Sequence, residues 1–174
     1  MSGNADIYHE MIIDYSRNPV NFGKLDNPDV TFHDANPLCG DSIDIDMNID
    51  NGSTISDIKF HGKGCAICMA CSSVLTEMAK GKSIDEVKSI GKHDILGELG
   101  LEHLQAIRIK CALLSLKVLK SALYSYLVKH LEDESPALPD SDGAAETTTA
   151  ANNEAARNTA ADFDKLTEAA AGLY

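Results

Sequence analysis

Apolar and polar positions along the chain follow two different periods, and the boundary between them falls at Gly64. From Asp6 to Asn18, Ile7, Met11, Ile12 and Tyr15 recur at helical spacing, and Pro19 ends the run. A first helix is expected there. Ile43, Ile45, Met47 and Ile49 then alternate with Ser, Asp and Asn, the period-two signature of a strand buried on one face. Asp50-Asn51-Gly52-Ser53 supplies turn chemistry, and Ile55 to His61 reads as the returning strand. An earlier strand is expected over Val30 to Asp34. Asp44, Asp46, Asp50 and Asp57 fall on what should be the solvated face of this hairpin.

Beyond Gly64 the period becomes helical. Ile67, Ala70, Val74, Leu75 and Met78 make one buried stripe, and Lys80-Gly81 reads as its stop. Ser83-Ile84-Asp85-Glu86 has capping-box spacing and predicts a short helix through Val87 to about Ile90. A single long helix is expected from Ile109 to Leu131, with Leu114, Val118, Ala122 and Tyr126 on its inner face. The pattern gives an α+β domain over residues 1–131, with a small antiparallel sheet covered by helices. Residues 132–174 are rich in Ala, Thr, Asn, Asp and Glu, offer few groups to bury, and are expected to be an acidic, mostly disordered tail. Within it, Phe163, Leu166 and Ala170 keep helical spacing.

Charge narrows the function classes. The formal net charge is −12, and about −8 of it lies between Glu132 and Tyr174, so the body is only mildly acidic. Without a concentrated basic face or any tryptophan, nucleic-acid binding is not expected. The first residues carry no basic patch, and no apolar run approaches spanning length, so neither a signal peptide nor a membrane span is expected. That places the chain in the reducing cytoplasm, where five cysteines argue for metal or thiol chemistry over disulfides.

Three of those cysteines stand at predicted junctions. Cys39 belongs to a turn-forming Cys-Gly-Asp, in which Gly40 lets the backbone bend and Asp41 sends a carboxylate to the same side. Cys65 stands at a strand-to-helix junction, and Cys111 is expected in the first turn of the last helix. Both settings lower a thiol's pKa, and Lys63 and Lys110 are close enough in sequence to offset charge. Three thiolates and a carboxylate make a four-ligand set for zinc or an iron–sulfur cluster. With zinc its charge is −2, poor for a closed structural site and better suited to ligand exchange, with the carboxylate leaving first. Cys68 and Cys71 complete a Cys-x-x-Cys-x-x-Cys run with Cys65, but on a helix these positions drift around the surface by about 60° per step. Cys68 can reach a metal beside Cys65, whereas Cys71 is better read as a buried small residue. His33 and His61 are read as polar residues ahead of ligands, and Gly62-Lys63-Gly64 lacks the spacing of a phosphate loop.

At this point a resemblance is specific. Asn36-Pro37-Leu38-Cys39-Gly40-Asp41, Gly62-Lys63-Gly64-Cys65, Met78-Ala79-Lys80-Gly81-Lys82 and Arg108-Ile109-Lys110-Cys111-Ala112-Leu113-Leu114-Ser115 resemble the IscU/SufU (NifU N-terminal-like) family, as does the opening Tyr8-to-Pro19 segment. The resemblance covers about residues 5 to 130. It implies a three-stranded antiparallel sheet covered by helices, and iron–sulfur cluster assembly beside a cysteine desulfurase. The cluster, 2Fe-2S or 4Fe-4S, would be held transiently by Cys39, Asp41, Cys65 and Cys111 and passed to recipient apoproteins or carriers. Cys39 and Cys111 are the implied persulfide acceptors, and an oligomer is compatible with the reading. The SufU side of the family implies zinc in the same set and a sulfurtransferase role. Arg108-Ile109-Lys110-Cys111 follows that side, whereas the 46-position spacing of Cys65 and Cys111 is nearer IscU. Leu104-Gln105-Ala106-Ile107 lacks the double proline that dedicated chaperones read in IscU-like scaffolds, so that partnership is not expected. A purely structural zinc module is the remote alternative.

Overall fold

The computed structural model describes residues 3–133; the expectations for the acidic tail lie outside the described residues. The elements run α1 (Gly3–Arg17), β1 (Val30–Asn36), β2 (Asp41–Asp50), β3 (Thr54–Lys63), α2 (Ala66–Ala79), α3 (Ile84–Ser89), α4 (Lys92–Glu98), α5 (Ala106–Ala112) and α6 (Leu114–Asp133). The three strands form one antiparallel meander in the order β1-β2-β3. Asn51 and Gly52 both take positive φ, 52° and 67°, and Ser53 N–H donates to Asp50 O at 3.1 Å. This left-handed pair matches the twist of the flanking strands, which is why an Asn-Gly tip closes the hairpin.

Ile43, Ile45 and Met47 of β2 are fully buried, as the alternation requires. In β3, Ile55, Ile58 and Phe60 are all buried although Ile55 and Ile58 are three positions apart. A bulge reconciles them: Asn48 pairs Asp57 and Ile49 pairs Ile55, leaving Ser56 as the extra residue that resets the phase. The apolar face packs on α6, which lies against β1 and β2, and on α2, which lies against β3 and also packs on α1.

Two expectations need correction. Asp46 is not on a solvated face: it is 3% exposed, because the segment before β1 crosses the sheet there. Its carboxylate accepts from Thr31 Oγ1 at 2.8 Å and from Leu25 N–H at 3.1 Å, which satisfies a buried charge that would otherwise be costly. The single helix expected from Ile109 is in fact two, α5 and α6, bent by 44°. Leu113 takes up the bend with φ −96° and ψ 2°, with neither proline nor glycine at the break. Leu114, Val118, Ala122 and Tyr126 are buried as expected. Among the described residues no single helix is long and apolar enough to cross a membrane.

Candidate metal centre

The site is assembled where the β1–β2 turn, the start of α2 and the end of α5 meet. β1 ends at Asn36 and β2 begins at its partner Asp41, so Pro37 to Gly40 form the tip of that hairpin. Cys39 N–H and Gly40 N–H both donate to Asn36 O, at 3.3 and 2.9 Å, and Gly40 turns the chain with φ +73°. A Cβ there would carry the strain of the left-handed region. The turn leaves Cys39 exposed and buries Asp41 to 3% exposure.

Asp41 ties two junctions together. Cys39 Sγ–H donates to its Oδ2 at 2.9 Å, and Cys65 N–H donates to its Oδ1 at 3.0 Å. Cys65 is the N-cap of α2, with extended φ −66° and ψ 165° and no hydrogen bond from its own side chain to the helix. The carboxylate therefore satisfies a free N–H at this helix start, a placement the helix dipole favours.

Cys111 supplies the third junction from the last turn of α5, not from the first turn of a long helix. It is 4% exposed. Its thiol donates to Ile107 O at 3.8 Å and accepts from Asn36 Nδ2 at 3.9 Å. Sequence reasoning passed over Asn36. This buried residue holds Cys111 with its amide nitrogen and accepts from Leu38 N–H at 3.1 Å, joining the turn to the third cysteine. The signal for it is an Asn ending an alternating strand immediately before proline.

Ligand atoms of Cys39, Asp41 and Cys111 all lie within 4.8 Å of one another. The Cys65 thiol is not in that tight group; its residue reaches the site through its backbone N–H. Three of the four expected donors thus converge, and the fourth stands beside them at the helix cap. Two thiolates and a carboxylate at this separation suit a soft divalent metal or an iron–sulfur cluster.

Electrostatics without a metal favour the protonated thiol. Burial first, then the neighbouring Cys39 and Asp41, pushes the Cys111 thiol well up. Cys68, fully buried, is pushed up by burial and then by Asp41 and Cys65. Burial raises Cys71 to about 12, consistent with the packing role expected of it. Lys63, Lys110 and Arg108 are exposed, and among the described residues none of them forms an ion pair. Any metal bound here brings its own positive charge to the thiolates and displaces their protons.

His33 and His61 lie outside the thiol group. They flank Asp44 across the sheet, with His33 Nδ1 at 3.0 Å from Asp44 Oδ1 and His61 Nε2 at 3.9 Å from Asp44 Oδ2.

The NifU-like N-terminal domain matches residues 7–133. The iron-sulfur cluster assembly enzyme IscU of Drosophila melanogaster is 38% identical over 126 residues, covering 71% of this chain and 80% of that protein. The zinc-dependent sulfurtransferase SufU of Bacillus subtilis strain 168 is 38% identical over 142 residues, covering 71% of this chain and 95% of that protein. A crystal structure described as a SUF-system iron-sulfur cluster assembly scaffold protein from Fervidobacterium islandicum AW-1 superposes with a TM-score of 0.59 at 32% identity, covering 70% of this chain and 99% of that one. The chain belongs to the NifU-like N-terminal domain family, the family of the IscU and SufU proteins.

Proposed function

We propose that this chain is an iron–sulfur cluster assembly scaffold. It receives sulfur from a cysteine desulfurase, builds a cluster on Cys39, Asp41, Cys65 and Cys111, and passes it to apoproteins or carriers in the cytoplasm. The observation that carries this reading is the convergence of Cys39, Asp41 and Cys111 within 4.8 Å at an open end of the fold. Cys39 sits at an exposed turn tip beside Leu38, itself 64% exposed, where a partner can deliver sulfur. Cys111 lies beneath it in a drier setting. Asp41, the hardest donor, is the ligand that leaves most readily and lets the product go.

A second reading is favoured by one observation, the Lys110 that precedes Cys111, which follows the SufU pattern. In it the same residues hold zinc, and a cysteine released from the metal accepts persulfide, with Cys39 and Cys111 as candidates. The 46-position spacing of Cys65 and Cys111, nearer IscU, weighs against it. The Bacillus SufU alignment needs 142 positions for the share of this chain that the Drosophila IscU alignment covers in 126, so the Bacillus protein carries residues this chain lacks.

Metal analysis of protein purified without added metal, followed by anaerobic incubation with ferrous iron, cysteine and a desulfurase, separates the readings. The scaffold reading expects charge-transfer absorption from a bound cluster and its transfer to an apoferredoxin. Tightly held zinc, strong stimulation of desulfurase turnover and no cluster absorption would overturn it.

A further inference from the structure

The Cys65-Ala66-Ile67-Cys68 run contains a thiol that the ligand set leaves unused. Cys65 caps α2, and Cys68 stands in the first turn of that helix. Ideal helix geometry puts Cα atoms three positions apart at about 5 Å, inside the window of roughly 4.4–6.8 Å that a disulfide needs. Helical side chains lean toward the N-terminus, which turns the Cys68 thiol back toward Cys65. Packing around Gly64 locates that thiol independently. A Cβ on Gly64 would stand 2.9 Å from both Cβ and Sγ of Cys68 and 3.4 Å from Asp41 Cγ. The bare glycine therefore leaves room for the Cys68 sulfur directly under the cap, at the edge of the metal centre.

The two sulfurs are also unequal in access. Cys65 is partly exposed and Cys68 is fully buried. That asymmetry is what a dithiol needs if the outer sulfur is to meet a reactant and the inner one is to resolve the product. Cys71 lies a further turn into the core, away from the cap.

We propose that Cys65 and Cys68 are a reducing dithiol that converts sulfane sulfur into sulfide at the edge of the metal centre. The Cys65 thiol gives its proton to solvent, and its thiolate attacks the outer sulfur of an incoming persulfide, R–S–SH; the R–S bond to that sulfur breaks, R–S⁻ departs and takes a proton back from solvent as R–SH, leaving Cys65–S–SH. The Cys68 sulfur then attacks Sγ of Cys65. A Cys65–Cys68 bond forms and the persulfide S–S bond breaks. The outer sulfur takes that bond's electron pair and leaves with the Cys68 proton as hydrogen sulfide. Two thiols are oxidised to one disulfide, and the sulfane sulfur is reduced by two electrons. A dithiol reductant resets the pair by exchange. The inference rests on the proposed function only for the source of the sulfur, and it supplies sulfur in the oxidation state that a cluster contains.

The test needs neither a desulfurase nor iron, so failure of the scaffold reading leaves its outcome intact. Reduced, metal-free full-length protein is mixed anaerobically with glutathione persulfide, sulfide is measured against a protein-free control, and cysteine-containing peptides are mapped by mass spectrometry. Expected are sulfide release and a disulfide joining Cys65 to Cys68. Cys68→Ser and Cys68→Ala should keep the added sulfur on Cys65 and release at least about tenfold less sulfide, while Cys71→Ser behaves as the parent. Sulfide release at the parent's level by both Cys68 variants would overturn the proposal. So would a disulfide in the parent protein that joins other cysteines and leaves Cys65 and Cys68 reduced, a result that depends on no variant folding.

Discussion

Replacing Gly62 by alanine tests how tightly the sheet positions the candidate metal centre. Gly62 lies near the end of β3, paired with Ile43, with φ +139°. A Cβ built there overlaps the Ser42 carbonyl oxygen and stands 3.1 Å from Ile43 Cα. Neither obstacle is a side chain that can swing away. A backbone at this positive φ, which glycine alone adopts readily, costs about 1–3 kcal/mol in an L-residue, and overpacking a fixed neighbour adds about 1–3 kcal/mol. Gly81 is the control: its φ is +77° and nothing lies within 4 Å of its built Cβ, so Gly81→Ala carries the strain without the clash. Both variants restrict the unfolded chain equally, a stabilising effect of about 0.4–1 kcal/mol that cancels in the comparison. Gly62→Ala should therefore fall about 1–3 kcal/mol below Gly81→Ala in urea unfolding followed by circular dichroism, or about 3–10 °C lower in Tm. Because Gly62 stands three positions before Cys65, the lost pairing should also weaken the Cys65 N–H to Asp41 bond, visible as faster amide exchange at Cys65. Equal stabilities for the two alanine variants would refute the reasoning, since they would show β2 yielding freely at the clash.

Asp46→Ala strands Leu25 N–H and Thr31 Oγ1 at a buried position and should cost about 2–4 kcal/mol; thermal melts and amide exchange at Leu25 check this, and a loss below about 0.5 kcal/mol would contradict the buried geometry. Asp41→Ala removes the acceptor of the Cys39 thiol and of Cys65 N–H, so it should loosen the start of α2 and, if the scaffold reading holds, slow release of the cluster by replacing the most labile ligand. Stopped-flow transfer to an apoprotein is the measurement, and unchanged kinetics would count against that role. Asp57 is held below the usual carboxylate range, chiefly by its hydrogen bond with Lys80, whose Nζ lies 2.7 Å away. Its folded pKa is depressed, so its contribution is present above the unfolded value of about 4 and is lost as pH falls through the folded value. The pair is over one-third exposed, which limits the effect to about 0.5 kcal/mol. Lys80→Met should bring the Asp57 pKa back up in an NMR titration, and an unmoved value would exclude Lys80 as the cause.

What the sequence made legible follows the physics of each signal. Side-chain alternation in β2 survives because every inward position meets the same helical layer, and the Ser83–Glu86 capping box is local, so both appear where the pattern puts them. The α4 helix was not legible. It is seven residues long, begins after Gly91 and contains Gly97, too short and interrupted for a periodic stripe, and its cap, Asp94 accepting from Gly91 N–H at 2.7 Å, follows a glycine instead of a Ser or Thr. The break at Leu113 was illegible for the opposite reason. Apolar positions continue across it without a proline or glycine, and periodicity records which face is buried, not whether the axis bends. Asp46 shows the limit of alternation: it assigns a side of the sheet correctly, but not whether another segment covers that side.

The candidate metal centre divides along the same line. Cys39-Gly40-Asp41 is a local motif whose turn chemistry fixes where its side chains go, and Cys65 is placed by a change of period at Gly64. Cys111 depends on the axis break, and misplacing that break reverses its electrostatics. At the start of a helix a thiol faces unpaired N–H groups, which favour the thiolate; in the last turn of α5 it stands away from those groups and donates back to Ile107 O, four residues earlier. Neither the helix nor a lysine in an ion pair offsets a charge on Cys111, while Asp41 and Cys39 crowd it. The positive charge that would make three donors within 4.8 Å a stable arrangement therefore has to arrive with the ligand. A site that is balanced only when loaded suits exchange of its contents better than a permanent structural metal, whose charge the protein normally compensates in advance.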